Sequence, residues 1–266
     1  MKYDFQKLFL VERRGRIDVL CESGALGPHP IPRELHFISD LAYRNLTICL
    51  APKTGTTSLS DFLLNRIDLK NQVDFLTRWN LLSGPDQTRV VESRTTVRAM
   101  IIRNPIDHLV SVFRYFFHNR NGYLEGVEEL EQEILAHLHP NTTRKPLEFT
   151  DFLTFLLVDD LSSLRSRLPW LTNMCRPFSD FCSVCSYLPE VVVRLESITE
   201  EMAFLVEWSG LGRTYGQFPT FPTRNSNPAN MREEVERMAR RLPKNITNML
   251  NRRYRADLVI GGYQLL

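Results

Sequence analysis

Residues 46–66 read LTICLAPKTGTTSLSDFLLNR, and the fold turns on how this stretch is understood. LTICLA is a short continuous apolar run without alternation, the pattern of a strand buried on both faces in a parallel sheet. Thr56, Thr57 and Ser58 are helix-cap candidates, and Leu59, Phe62, Leu63 and Arg66 then follow at helical spacing. A strand entering a helix needs only a glycine and a cap. This turn also carries Lys53 and three consecutive hydroxyls. At such a junction the first backbone N–H groups of the helix point outward and its dipole favours negative charge. Gly55 lets the backbone approach closely, Lys53 adds a full positive charge, and Thr56, Thr57 and Ser58 offer further donors. The order differs from a Walker A loop, where the lysine follows the second glycine. Taken alone, PKTGTTS reads equally as a capped helix beside a solvent-facing lysine.

A second junction repeats the theme. TVRAMIIRNP (96–105) is an apolar strand ending at Arg103 before an Asn-Pro break, and IDHLVSVFRYFF follows with Ile106, Leu109, Phe113 and Phe116 on one stripe. Ser111 stands eight residues after Arg103, inside that helix. A guanidinium and a hydroxyl so spaced can converge on one anion. The plainer alternative is an arginine paired with a carboxylate and a tolerated helix serine. Two anion sites at adjacent strand ends describe a ligand with two separated phosphate-like groups, bound where open α/β sheets bind ligands.

Strand–loop–helix twice over predicts an α/β fold with a central parallel sheet flanked by helices. Residues 120–150 are polar and charged, a loop with a short helix, and EFTDFLTFLLVDDL (148–161) is a core helix. EVVVRLESI (190–198) is a third buried strand, and TEEMAFLVEWSGL the helix after it. A last amphipathic helix over about 230–253 is broken at Pro243. No Pro-, Gly- or Ser-rich linker divides the 266 residues, so a single domain over 1–266 is expected, with the anion motifs within 46–115.

The bulk numbers bound the rest. Hydrophobic content of 43% and charge of 24% are ordinary for a globular protein. A net charge of +2 makes no case for nucleic acid. Arginine greatly outnumbers lysine, which suits bidentate pairing with anions or reflects a codon-level bias. No segment approaches the length of a membrane span, and the N-terminus has no signal-peptide core. Sequons at Asn45, Asn141 and Asn245 are little more than fifteen asparagines supply by chance. Of five cysteines, Cys182 and Cys185 form a CxxC with Cys175 upstream. The readings are a tight disulfide, a redox pair or free thiols, since four zinc ligands are not assembled. Whether Cys21 and Cys49 pair stays open.

The motifs together resemble a known family. APKTGTTSL is similar to the 5′-phosphosulfate loop of sulfotransferases, and IIRNPIDHLVSVFR to their 3′-phosphate motif. Both bind 3′-phosphoadenosine 5′-phosphosulfate (PAPS). The likeness is closest to the Golgi carbohydrate sulfotransferases, the group of chondroitin and dermatan 4-O-sulfotransferases and HNK-1-type enzymes. CSVCSYLPEVVVRLESI resembles their CxxC followed eleven residues later by a strand-end glutamate, here Glu196. FPTRNSN resembles a late loop, and RRYRADLVIGGY (252–263) their C-terminal segment. The resemblance runs from about residue 45 to the end.

It implies a P-loop NTPase-like three-layer domain and sulfuryl transfer from PAPS, as co-substrate and without a metal, to a sugar hydroxyl. The acceptor it implies is an anionic glycan in the Golgi lumen. Lys53, Thr54, Gly55, Thr56, Thr57 and Ser58 would hold the 5′-phosphosulfate, and Arg103 and Ser111 the 3′-phosphate. Lys53 would neutralise charge on the bridging oxygen, a contribution often worth roughly 3 kcal/mol. Related enzymes place a His or Glu base between the two motifs. Here residues 59–102 contain no histidine, only Asp61, Asp68, Asp74, Asp86 and Glu92. Asp61 is expected to be a solvated helix residue, which leaves Glu92 and Asp74 as candidate bases. His108 stands where the second motif commonly has Arg, and a solvent-facing position is expected. The family's usual membrane anchor is not visible. The rival readings are a catalytically inactive nucleotide-binding or interaction module, and an ATP phosphotransferase, which the absence of Walker A order disfavours.

Overall fold

Residues 46–50 are apolar without alternation because both faces of their strand are covered. In this computed structural model they belong to a strand, Arg44–Leu50, whose last five residues are all buried. Ile48 and Leu50 pack into one cluster with Leu59, Phe62 and Leu63, whereas Cys49 and Ala51 pack into another with Ile17 and Ile260. The structure describes residues 2–27, 29–32, 35–41, 44–64, 79–118, 126–140, 146–158, 169–216, 221 and 229–265.

In chain order the described elements are α1 (Lys2–Glu22), β1 (Leu35–Leu41), β2 (Arg44–Leu50), α2 (Thr56–Leu64), α3 (Gly84–Glu92), β3 (Thr96–Ile102) and α4 (Pro105–Phe113), which runs into a π-helical turn (Arg114–His118). Next come α5 (Val127–Leu138), α6 (Phe149–Leu157), α7 (Pro169–Met174), the single turns α8 (Phe178–Phe181) and α9 (Val184–Tyr187), and β4 (Val191–Arg194). A 3-10 turn (Leu195–Ser197) leads to α10 (Ile198–Ser209), α11 (Leu211–Tyr215), α12 (Ala229–Arg240), α13 (Lys244–Arg253) and α14 (Arg255–Gly261). The four strands lie in the order β1-β2-β3-β4, with β1 antiparallel to β2 and the other neighbours parallel. This is an α/β fold with a mostly parallel sheet flanked by helices. Among the described residues no helix is long and apolar enough to cross a membrane.

Two compact units share the chain. The first comprises 1–103, 178–226 and 259–263, and the second 104–177, 227–258 and 264–266. The first contains the whole sheet. Its buried Tyr187 places its hydroxyl within 3.0 Å of the Thr47 and Ala99 carbonyls and of Thr47 Oγ1, bridging β2 and β3. Arg98 on β3 donates to the Val91 carbonyl at 2.7 Å and the Leu188 carbonyl at 3.0 Å, fixing the end of α3 and the approach to β4.

Sequence reading places neither α1 nor β1, nor the short helices α3, α7, α8, α9, α11 and α14. α1 covers the free edge of β4 with charge: buried Arg13 donates to the Val192 carbonyl at 2.8 Å and to both carboxylate oxygens of Glu201, and Arg14 donates to the Pro189 carbonyl. A helix that docks through arginines does not advertise an apolar stripe. β4, expected over residues 190–198, is also shorter than that, because residues 195–197 leave the extended conformation for a 3-10 turn.

The cysteines pair unlike the tight CxxC bridge considered above. Cys182 bonds Cys49 on β2, and Cys185 bonds Cys21 on α1. The α9 turn separates the two side chains so that each faces a different neighbour. Cys175, in the second unit, is a buried free thiol.

The second unit is a helical cluster around Phe113, Phe116, Phe152 and Phe155. Here the expected stripe of Ile106, Leu109, Phe113 and Phe116 is buried throughout. Pro243 does break the terminal helix, between α12 and α13. His108 is a correction to the solvent-facing expectation. It is 1% exposed, and its Nε2 lies 2.8 Å from the Met174 carbonyl. Its neighbours Leu109 and Val112 turn the same helix face inward.

Arg13→Met leaves the Glu201 carboxylate buried without its cation. Loss of one member of such a pair costs about 3–5 kcal/mol, so the urea midpoint of this variant falls well below that of the wild type. Arg13→Met with Glu201→Gln recovers part of the difference.

Candidate functional site

The loop after β2 is shaped by its backbone before any side chain acts. Lys53 adopts φ 64° and Gly55 φ 88°, both in the left-handed region. Only glycine enters that region freely, so a lysine there is held at a cost of about 1 kcal/mol or more. Thr54 does the holding. It is fully buried, and both its amide and its hydroxyl turn back to the Ala51 carbonyl, at 3.3 and 2.5 Å. Thr54, expected as an anion contact, therefore has its hydroxyl committed to building the loop.

At Gly55 the backbone is crowded as well as left-handed. A Cβ built there lies 2.9 Å from Leu195 Cδ1, so the residue after β4 forms the wall behind the glycine. Leu59 donates to the Gly55 carbonyl at 2.9 Å, which starts α2 and leaves the amides of its first turn facing outward. Thr57 is exposed, Thr56 half-buried, and Ser58 buried at 5% exposure.

Because β2 and β3 are parallel neighbours, with Leu50 opposite Ile101, their carboxyl ends emerge side by side. Arg103 follows β3 directly, and its guanidinium donates to the Lys53 carbonyl at 3.3 Å. Partial burial first, and then the positive charge of Arg103, hold the Lys53 ammonium below the usual lysine range. Two cations brought together at a helix N-terminus make a site that favours an anion. Ser111 lies in the second unit, half-buried, six residues into α4. Asn104 caps that helix, accepting from the Ile106 amide at 2.9 Å, with Pro105 at its first position.

The candidate bases fare differently. Glu92 is exposed and ends α3, four residues before β3 begins. The carboxyl ends of β2 and β3 lie the length of a seven-residue strand away, about 20 Å. The topology thus puts Glu92 at the amino-terminal side of the sheet, opposite the loop that it was expected to serve. Asp74 and Asp68 lie outside the described residues, as does FPTRNSN after Phe221. Asp61 is half-buried rather than solvated.

Two of the segments that carry the family resemblance, the one ending in VVVRLESI and the C-terminal one, meet at the end of β4. Tyr263 donates its hydroxyl to Glu196 at 2.8 Å, and the Arg194 guanidinium sits 4.9 Å from the Tyr263 ring centroid. Burial, then the Glu196 charge, pushes the Tyr263 hydroxyl well above its ordinary range, so it stays a donor. Leu195, which lies between these residues and touches the loop, carried no chemical signal in the sequence. Only the strand-end position of VVVRLES pointed to it.

The sequence model of the sulfotransferase family matches residues 36–264, from the second residue of β1 through α14, and leaves α1 outside. Human carbohydrate sulfotransferase 9 is 25% identical over 149 residues, which are 54% of this chain and 32% of that protein. The aligned stretch thus spans about a third of that relative's length. No solved structure matches the chain.

The depressed Lys53 gives a direct measurement. With the ammonium destabilised, Lys53 loses its proton at lower pH than an ordinary lysine. Its reaction with an amine-directed reagent, followed by peptide mass spectrometry, therefore has a midpoint below 10.5, the ordinary lysine value. In Arg103→Ala the like charge is gone and the midpoint moves back up.

Proposed function

The chain belongs to the sulfotransferase family, and from that premise we propose that it transfers the sulfuryl group of PAPS to a hydroxyl of a glycan. The observation that carries this reading is the pair Lys53 and Arg103, set on adjacent strand ends at the N-terminus of α2. Gly55 and the first-turn amides, with Thr56, Thr57 and Ser58, receive the 5′-phosphosulfate. Arg103 takes the 3′-phosphate. In the transfer the bond from sulfur to the nucleotide's bridging oxygen breaks as the acceptor hydroxyl attacks in line. Charge builds on the departing oxygen, and the Lys53 ammonium is the group placed to offset it. The acceptor's proton leaves to a base that the described residues do not identify.

The glycan half of the reading rests on the name of the human relative and on the motifs shared with carbohydrate sulfotransferases. Two disulfides support a lumenal setting, because such bridges persist in oxidising compartments and are rare in the cytosol. The Golgi lumen fits both.

Calorimetric titration of 3′-phosphoadenosine 5′-phosphate tests the donor site. The wild type binds with a micromolar dissociation constant, and Arg103→Ala weakens binding at least tenfold. Absence of binding by folded wild type overturns the proposal.

With PAPS and a glycan acceptor, Lys53→Ala lowers turnover by about 10²–10³-fold, the usual range for removing one group that stabilises developing negative charge. A Lys53→Ala protein that keeps full turnover would remove Lys53 from the mechanism.

A further inference from the structure

The terminal helices of the second unit carry charge that the donor site does not use. Residues 237–256 contain seven cations and no carboxylate, in a chain whose net charge is only +2. All seven, Arg237, Arg240, Arg241, Lys244, Arg252, Arg253 and Arg255, are exposed. The first acidic residue beyond them, Asp257, is buried at 1% exposure. Glu236, just before the stretch, pairs with Arg240 at 3.3 Å in an exposed contact of the kind that contributes little.

The arrangement follows from helix geometry. On α13 the buried side is Ile246 and Leu250, continued by Tyr254 after the helix, all held in the unit's apolar core. Lys244, Asn248 and Arg252 recur at intervals of four on the opposite face, which spaces Lys244 and Arg252 by about 12 Å along the axis. Arg240 and Arg241 stand immediately before the Pro243 break, and Arg255 opens α14. Lys244 and Arg252 therefore line one exposed face of α13, and Arg240, Arg241 and Arg255 adjoin its two ends in the chain, a basic strip along consecutive helices. Such a strip raises the local concentration of an extended polyanion and pairs with charges repeated along it.

Resting on the sulfotransfer reading above, we infer that this strip is a second binding site for the glycan acceptor, one that holds an extended polyanionic chain bearing carboxylates or sulfates. Two features favour a glycan over other polyanions. The single aromatic of the stretch, Tyr254, is 2% exposed, so no platform is offered for stacking nucleobases. None of the exposed large apolar side chains among the described residues falls within 237–256, so no apolar flank is offered to a membrane.

The test uses the whole chain and size-fractionated chondroitin sulfate, as long chains and as tetrasaccharides, titrated at low and near-physiological ionic strength. Arg241→Glu, Lys244→Glu and Arg252→Glu combined, all at exposed positions, should weaken long-chain binding about tenfold or more and flatten its salt dependence. The Gln counterparts should give a smaller loss in the same direction. Both variants should keep the affinity of the wild type for 3′-phosphoadenosine 5′-phosphate, and wild type should prefer long chains to tetrasaccharides. Long-chain affinity unchanged in both variants overturns the inference, as does preferential displacement of the glycan by single-stranded RNA. Wild type that binds the nucleotide but no chain refutes the strip alone. Wild type that binds the chain through the strip but not the nucleotide refutes sulfotransfer and leaves the strip standing.

Discussion

At the free edge of the sheet a charged pair occupies the place of a neighbouring strand. Arg13 donates to the outward carbonyl of Val192, and Glu201 accepts from the amide of Arg194, two residues on. In an extended chain those two groups point the same way and would ordinarily pair with the next strand. Here one guanidinium and one carboxylate, themselves joined at 2.6 and 2.9 Å, satisfy both. The Ser197 hydroxyl also donates to Glu201, so the same carboxylate ends the strand and anchors the turn after it. Leu195 belongs to that turn and stands behind Gly55. The turn that stands behind Gly55 is thus anchored through an ion pair between α1 and α10. An edge so occupied presents fewer open hydrogen-bonding groups to a second chain, one of the ways natural sheets avoid edge-to-edge association.

The first unit gathers distant parts of the sequence around this arrangement. α1 supplies Arg13, the segment after residue 178 supplies both disulfide turns and β4, and the C-terminal Tyr263 reaches Glu196. The bridge from Cys182 to Cys49 enters β2 one residue before its end, close to where the loop begins. The Arg13–Glu201 pair is complete in this sense: its guanidinium and carboxylate meet each other and the β4 backbone groups they face.

What could be read from the sequence was what has a period or a local signature. Continuous apolar runs marked β2, β3 and the start of β4, and helical spacing marked the buried faces of α2 and α4. The turn chemistry of residues 51–58 and the Asn-Pro break after Arg103 marked two strand ends, and parallel pairing sets those ends side by side. What stayed hidden was long-range. α1 docks through guanidinium groups and has no sharp apolar stripe, and β1 joins by a hairpin whose strand alternates weakly. His108 looked solvated because an isolated histidine carries no sign of which carbonyl it will meet. The cysteine pairing depended on where the α9 turn points its two side chains, and Glu92 was misplaced because sequence distance says nothing about which end of a strand a helix abuts. Thr54 looked like its neighbours Thr56 and Thr57, and only burial separates the residue that builds the loop from those that face outward.

Five cysteines and two bridges leave Cys175 over, and its setting decides what that odd thiol does. It is 1% exposed in the aromatic core of the second unit, where burial pushes its pKa far above the ordinary thiol range. Thiol–disulfide exchange proceeds through attack by a thiolate on a reachable sulfur. Cys175 has neither the charge nor the access. Once folded, the chain therefore carries no internal nucleophile able to reshuffle Cys21–Cys185 and Cys49–Cys182, and the pairing chosen during maturation is the pairing it keeps.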